Sequence, residues 1–138
     1  MLPALLSFAL LVVAQVPAAG TPEPLRVAVQ IQESGEDPVG TLLVQRMREV
    51  FAASPKLRFS TDNSERRLVI MVQHVDRACR QRDIATVYAV IWTINPGGAF
   101  TSLYATATVG FAPAEEIQQV AAQLLGETED LLARRGGL

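Results

Sequence analysis

The chain contains one histidine and one cysteine. They lie in the stretch H-V-D-R-A-C-R-Q-R-D, which runs from His74 through Cys79 to Asp83. An imidazole and a thiolate within hydrogen-bond reach would make a nucleophilic pair. Asp76 and Asp83 add carboxylates that would orient a base or ligate a metal. The surroundings support neither chemistry. There is no second histidine, and no glycine-rich turn at a helix start adjoins Cys79 to supply an oxyanion hole. The spacing of His74, Asp76, Cys79 and Asp83 matches no closed zinc pattern. The stretch therefore reads as a connection between two strands, with His74 partly packed at the end of the first. No catalytic, cofactor-binding or metal-ligating residue is assigned.

Two properties of this loop stand apart from catalysis. A lone cysteine in an exported protein is either a quiet thiol or an intermolecular disulfide partner, so Cys79 is a candidate reactive thiol and a homodimer is one way to use it. Arg77, Arg80 and Arg82 make the loop locally basic, which favours a thiolate and would suit an anionic partner such as phosphate or cell-wall polymer. The same residues also describe an ordinary solvated loop. Elsewhere, Gly97-Gly98 belongs to a hairpin turn and not to a phosphate-cradling strand-to-helix turn. Neither G-x-S-x-G nor H-E-x-x-H occurs. Glu33, Glu36 and Asp37 crowd one loop, and Asp37 has a sufficient structural role as a helix cap.

The bulk numbers limit the options further. With 138 residues, 49% hydrophobic and 19% charged, the chain suffices for one packed domain. A net charge of −2 lacks the basic excess of an electrostatic nucleic-acid binder. Residues 1–20 read as a secretory signal peptide, with an apolar run from Leu5 to Val13 and small residues at Ala18, Ala19 and Gly20. That run is too short to span a bilayer, so no stable membrane span is expected after cleavage. An uncleaved anchor that includes the small-residue segment is the alternative. No cysteine follows the signal to carry a lipid. Residues 21–24, T-P-E-P, form a lead-in, residues 25–135 a single domain, and residues 136–138 a tail.

The elements that position these residues follow from periodicity. Leu25, Val27, Val29 and Ile31 alternate with polar neighbours as a half-buried strand. Asp37 caps a helix with Pro38 at its first position and a stripe of Val39, Leu43, Met47, Val50 and Phe51, ended by Pro55. K-L-R-F-S-T-D makes a short strand. R-L-V-I-M-V-Q-H-V-D and I-A-T-V-Y-A-V-I-W-T-I-N follow as β-branched core strands. Asn95-Pro96-Gly97-Gly98 turns into S-L-Y-A-T-A-T-V-G-F. The last helix opens at Pro113 and carries Ile117, Val120, Ala121, Leu124, Leu125, Thr128, Leu131 and Leu132 on one face.

This pattern gives an α+β fold with a five-stranded mixed sheet. The chain order is β-α-β-β-β-β-α, and both helices pack on one face. Tight turns predict His74 opposite Thr86, Val90 opposite Leu103 and Trp92 opposite Thr101. The helix-covered face then holds Ile70, Val72, Tyr88, Val90, Trp92, Leu103, Ala105 and Val109. The other face, semi-apolar and open, carries Met71, Val87, Ile91 and Tyr104 as a candidate interaction surface.

The element order and texture resemble bacterial envelope domains of the TolB amino-terminal type. The stretches concerned are L-R-V-A-V-Q-I-Q-E-S, V-G-T-L-L-V-Q-R-M-R-E-V-F-A-A-S, P-K-L-R-F-S-T-D, R-L-V-I-M-V-Q-H-V-D and Y-A-V-I-W-T-I-N-P-G-G-A-F-T-S-L-Y-A-T-A-T-V. The penicillin-binding-protein activators and the curli secretion lipoprotein belong to that broad group. The resemblance implies a non-enzymatic domain that acts by protein–protein contact in the periplasm, and it brings no site residues and no cofactor. This chain departs from those activators in lacking a lipid-attachment cysteine, and from TolB in having no residues for a propeller. The expectation is thus an exported adaptor, periplasmic or secreted, that binds an envelope protein. A small-ligand carrier with a cavity between helices and sheet is the alternative, and a hydrolase using Cys79 and His74 comes third.

Overall fold

The computed structural model describes residues 25–76, 84–98 and 101–136. The elements run β1 (Val27–Ser34), α1 (Pro38–Ala53), β2 (Leu57–Phe59), β3 (Arg67–Asp76), β4 (Ala85–Asn95), β5 (Leu103–Pro113), a single 3₁₀ turn at Ala114–Glu116, and α2 (Ile117–Arg134). The strands lie in the order β2-β1-β3-β4-β5. β1 pairs in parallel with β2 and β3, while β3, β4 and β5 are antiparallel, so the sheet is mixed as expected.

α1 starts where its cap predicts. The Asp37 side chain accepts from the Gly40 amide at 2.7 Å, and Pro38 occupies the first turn. Both helices lie over one face of the sheet. Val39, Leu43, Val44, Met47 and Phe51 of α1 and Ile117, Val120, Ala121, Leu124, Leu131 and Leu132 of α2 join one core. Its floor is Val29, Leu68, Ile70, Val72, Tyr88, Val90, Trp92 and Ile94. Trp92, the only tryptophan, donates its indole N–H to Thr128 Oγ1 at 2.9 Å, and Thr128 donates in turn to the Leu124 carbonyl. At the far end, Glu129 of α2 takes a hydrogen bond from Ser54 and an ion pair from Lys56, tying the helices to the start of β2.

Three details differ from the sequence expectation. α2 begins at Ile117 and not at Pro113, because β5 continues through Pro113 before the 3₁₀ turn. The β3–β4 register is displaced by two residues, placing His74 opposite Tyr88 and Asp76 opposite Thr86. A shift by an even number leaves every side chain on its expected face. The β4–β5 register changes more: Leu103 lies opposite Ile94 and Tyr104 opposite Thr93, then a bulge intervenes and Thr106 faces Trp92. Pro96-Gly97 is not a two-residue hairpin turn. Gly97 takes φ +93° and packs so closely on the 62–65 segment that a Cβ there would lie 2.5 Å from the Ser64 carbonyl, while the Gly98 amide donates to Asn63. That long-range contact lengthens the connection. The extra residue at the bulge then reverses the face of all that follows. Val109, expected in the core, is 74% exposed on the open face, and Leu103, also expected inside, is 61% exposed at the sheet margin.

Candidate functional site

The face of the sheet opposite the helices is the expected interaction surface. By register it carries Val69, Met71, Gln73 and Val75 of β3, Val87, Ala89, Ile91 and Thr93 of β4, and Tyr104, Ala107, Val109 and Phe111 of β5. At one corner the 60–66 connection folds over it. Arg67 reaches Gln30 at 3.1 Å, Asn63 at 2.5 Å and the Asp62 carbonyl, and Arg58 pairs with Glu65. Ala28 and Val69 are buried beneath this corner. Beyond it, no helix among the described residues covers the sheet. Met71, Val87 and Ile91 are half-buried among their strand neighbours, whereas Tyr104 is 67% exposed, and Val75 and Phe111 are exposed too. All four residues assigned from sequence therefore lie on this face. From β3 to β5 its only charged side chain is Arg67, already engaged at the corner.

The histidine belongs to a different construction, at the end of the sheet where β1 turns into α1. Its side chain is fully enclosed, with Nδ1 2.7 Å from Asp37 Oδ2 and Nε2 3.3 Å from Glu33 Oε1. Thr86 donates to the same Asp37 oxygen at 2.8 Å. Burial pushes the Asp37 carboxyl up, but the Gly40 amide, the Thr86 hydroxyl and the His74 ring outweigh it and hold the carboxyl below its ordinary range. An ionised Asp37 only accepts, so Nδ1 carries a proton.

Two glycines make room for the ring. A Cβ on Gly40 would lie 2.2 Å from His74 Cγ, and one on Gly35, where φ is +145°, would lie 2.5 Å from His74 Nδ1. The imidazole is thus clamped between the β1–α1 turn and the first turn of α1. Both ring nitrogens lie against carboxylates, so His74 is a deeply buried, hydrogen-bonded group and not one partly packed at the sheet's end. Sequence reasoning found Asp37 as a cap and His74 as packed, but missed their union with Thr86 and Glu33. The available signal was Gly40 itself, a poor helix former inside the first turn of a strongly patterned helix.

Cys79 and its arginine-rich loop, Arg77 to Asp83, lie outside the described residues. Among those described, no group of histidine, cysteine, aspartate or glutamate side chains is arranged to hold a metal, and no helix is long and apolar enough to cross a membrane. The space expected between helices and sheet for a carrier is filled: Val29, Leu43, Val44, Met47, Phe51, Ile70, Val90 and Leu124 are fully buried there. A groove of about 520 Å³ lies instead outside the core, where β2 ends early. Ile31 and Phe59 line it together with Gln45, Arg48 and Glu49 of α1.

No family model matches the chain, and no curated protein matches it. Among solved structures it is similar to a minor lipoprotein from Acinetobacter baumannii, at 12% identity over 80% of this chain and 94% of that one, with a TM-score of 0.34. A score at that level establishes neither shared fold nor shared activity, and the likeness to TolB-type domains stays one of residue texture and element order.

Proposed function

We propose that the protein is an exported, non-enzymatic adaptor of the bacterial envelope that works by protein–protein contact through the open sheet face. The observation that carries this reading is that, among the described residues, the helices lie on one side of the sheet only, and its other side is largely apolar and, away from the Arg67 corner, uncharged from β3 to β5. Exposed apolar surface of this kind is retained where something covers it. The partner is an envelope protein offering a complementary apolar surface. Enclosure of the His74 ring favours this over the hydrolytic alternative, and the filled core favours it over the carrier.

The test is in-cell cross-linking followed by purification of the protein from envelope fractions. The comparison is among the unaltered chain, the double variant Met71→Asp/Ile91→Asp, and a control, Gln118→Glu, on the exposed side of α2. The reading expects a specific cross-linked band that is lost only in the double variant, with secondary structure preserved. A band pattern identical in all three would remove the sheet-face proposal.

A further inference from the structure

The two edges of the sheet are built in opposite ways. The β2 edge is three residues long, and charged groups surround it and the β1 segment beyond: Lys56, Arg58 paired with Glu65, and Arg48 paired with Glu33. Short strands and charges are the usual devices against edge-to-edge association. The β5 edge has neither. It runs for 11 residues, L-Y-A-T-A-T-V-G-F-A-P, without one charged side chain. Among the described residues no strand lies beyond it. The bulge between Tyr104 and Thr106 bends its start and leaves Thr106–Ala112 as the regular portion, in register with β4 from Trp92 to Thr86. A regular, uncharged, β-branched edge is a template for another strand.

That portion complements itself. Pairing T-A-T-V-G-F-A with a second copy in antiparallel fashion about Val109 sets Val109 against Val109, Phe111 against Ala107, Thr108 against Gly110 and Thr106 against Ala112. Each larger side chain off the axis meets a small one. Residues directly opposite in an antiparallel pair share a face, so Val109, Phe111 and Ala107 meet on the open side. Thr106, Thr108, Gly110 and Ala112 meet on the helix side. There the Tyr88 ring already occupies the space above Gly110, where a Cβ would lie 2.3 Å from its hydroxyl. No like charges are opposed anywhere in this register, and the pair is isologous, so it closes at two copies.

We infer that β5 pairs with β5 of a second copy, making a dimer with one continuous ten-stranded sheet, helices on one side and a doubled apolar face on the other. The inference does not rest on the partner-binding reading, because purified protein alone tests it. The edge, with its 74% exposed Val109 at the centre, selects a second copy over an unrelated chain by this size and charge match.

The experiment is sedimentation velocity on purified protein over a roughly hundredfold concentration range, where mass action governs the population. It is joined by two substitutions at a site whose side chain touches little in the monomer. The expected result is a species of twice the chain mass for the unaltered protein, and its loss in Val109→Lys, which would set two cations on the two-fold axis. In a Cys79→Ser background, Val109→Cys is expected to form a disulfide-linked dimer on oxidation. Opposed residues in an antiparallel pair lie about 4.5–5.5 Å apart at Cα, within reach of a disulfide. Leu103→Cys, outside the paired portion, is expected to remain unlinked. A monomer at every concentration overturns the inference. So does a dimer that survives Val109→Lys, or one that links through Leu103→Cys and not through Val109→Cys.

Discussion

Replacing Gly40 by alanine separates two opposed effects, and the structure decides the sign. By helix propensity alone the change stabilises, by about 1 kcal/mol. In place, however, the new methyl would lie 2.2 Å from His74 Cγ and Nδ1 and 2.4 Å from Asp37 Oδ2. The ring must retreat by roughly 1 Å to restore ordinary contact. It has little room to do so, because Gly35 closes the other side at comparable distance. Overpacking of this kind costs about 1–3 kcal/mol. Displacing the ring also breaks the 2.7 Å bond from Nδ1 to Asp37, a buried bond to a charged group worth about 1.5–3 kcal/mol. The net expectation is a loss of about 2–4 kcal/mol, or a fall in Tm of roughly 10–20 °C for a domain of this size. Thermal unfolding followed by circular dichroism measures it. Gly126→Ala is the internal control: Gly126 lies on the exposed side of α2, where a Cβ meets nothing within 4 Å, so that variant gains about 0.5–1 kcal/mol. In Gly40→Ala/His74→Ala the clash with the ring is gone and only that with Asp37 Oδ2 remains, so Gly40→Ala is expected to cost clearly less in the His74→Ala background than in the unaltered chain. A Gly40→Ala protein as stable as the unaltered chain, or strict additivity in the double variant, would refute the clamp.

Thr128→Val keeps shape but removes the acceptor of the buried Trp92 N–H, and is expected to cost about 1–3 kcal/mol in urea unfolding, with a change in the fluorescence of the sole tryptophan. Stability is also expected to depend on acid. Asp37 is held low chiefly by the Gly40 amide, the Thr86 hydroxyl and the His74 ring against the opposing effect of burial, and Glu129 is held low by Lys56 and Ser54. A depressed carboxylate contributes stability above its unfolded pKa of about 4 and loses it as pH falls through the folded value. Urea midpoints should therefore drop as pH falls below about 5, and Asp37→Asn should flatten that drop while lowering the midpoint at neutral pH.

Much of the architecture was legible because it rests on local signals. Asp37-Pro38 and Pro55 bracket α1, and the stripe of Val39, Leu43, Met47 and Phe51 fixes its buried side. The faces of β3 and β4 were legible because parity alone determines them, whatever the length of the loop between. The β5 face was not, since it depends on a bulge at Ala105 and on Gly97 packing against Ser64, a contact between residues distant in sequence. The hydrogen bonds around His74 were illegible for the same reason: Asp37, His74 and Thr86 are joined across 37 and 49 positions. Of the interaction face, Met71, Val87 and Ile91 follow from parity, and Tyr104 precedes the bulge. Val109 and Phe111, which extend that face to the sheet edge, follow the bulge and so escaped a reading by alternation.

The clamp around His74 has a consequence for the order of folding. A helix capped only by its own aspartate has a first turn that can form early, from nearby residues. Here the capping carboxylate is shared with a ring from β3 and a hydroxyl from β4, so the cap is complete only once β3 has docked on β1 and β4 on β3. The start of α1 should then gain its full protection from hydrogen exchange late, together with the strands and not with the rest of its helix. Substitutions at Asp37 should accelerate unfolding more than they slow folding. One imidazole thus makes the beginning of a local element answer to the completion of the sheet.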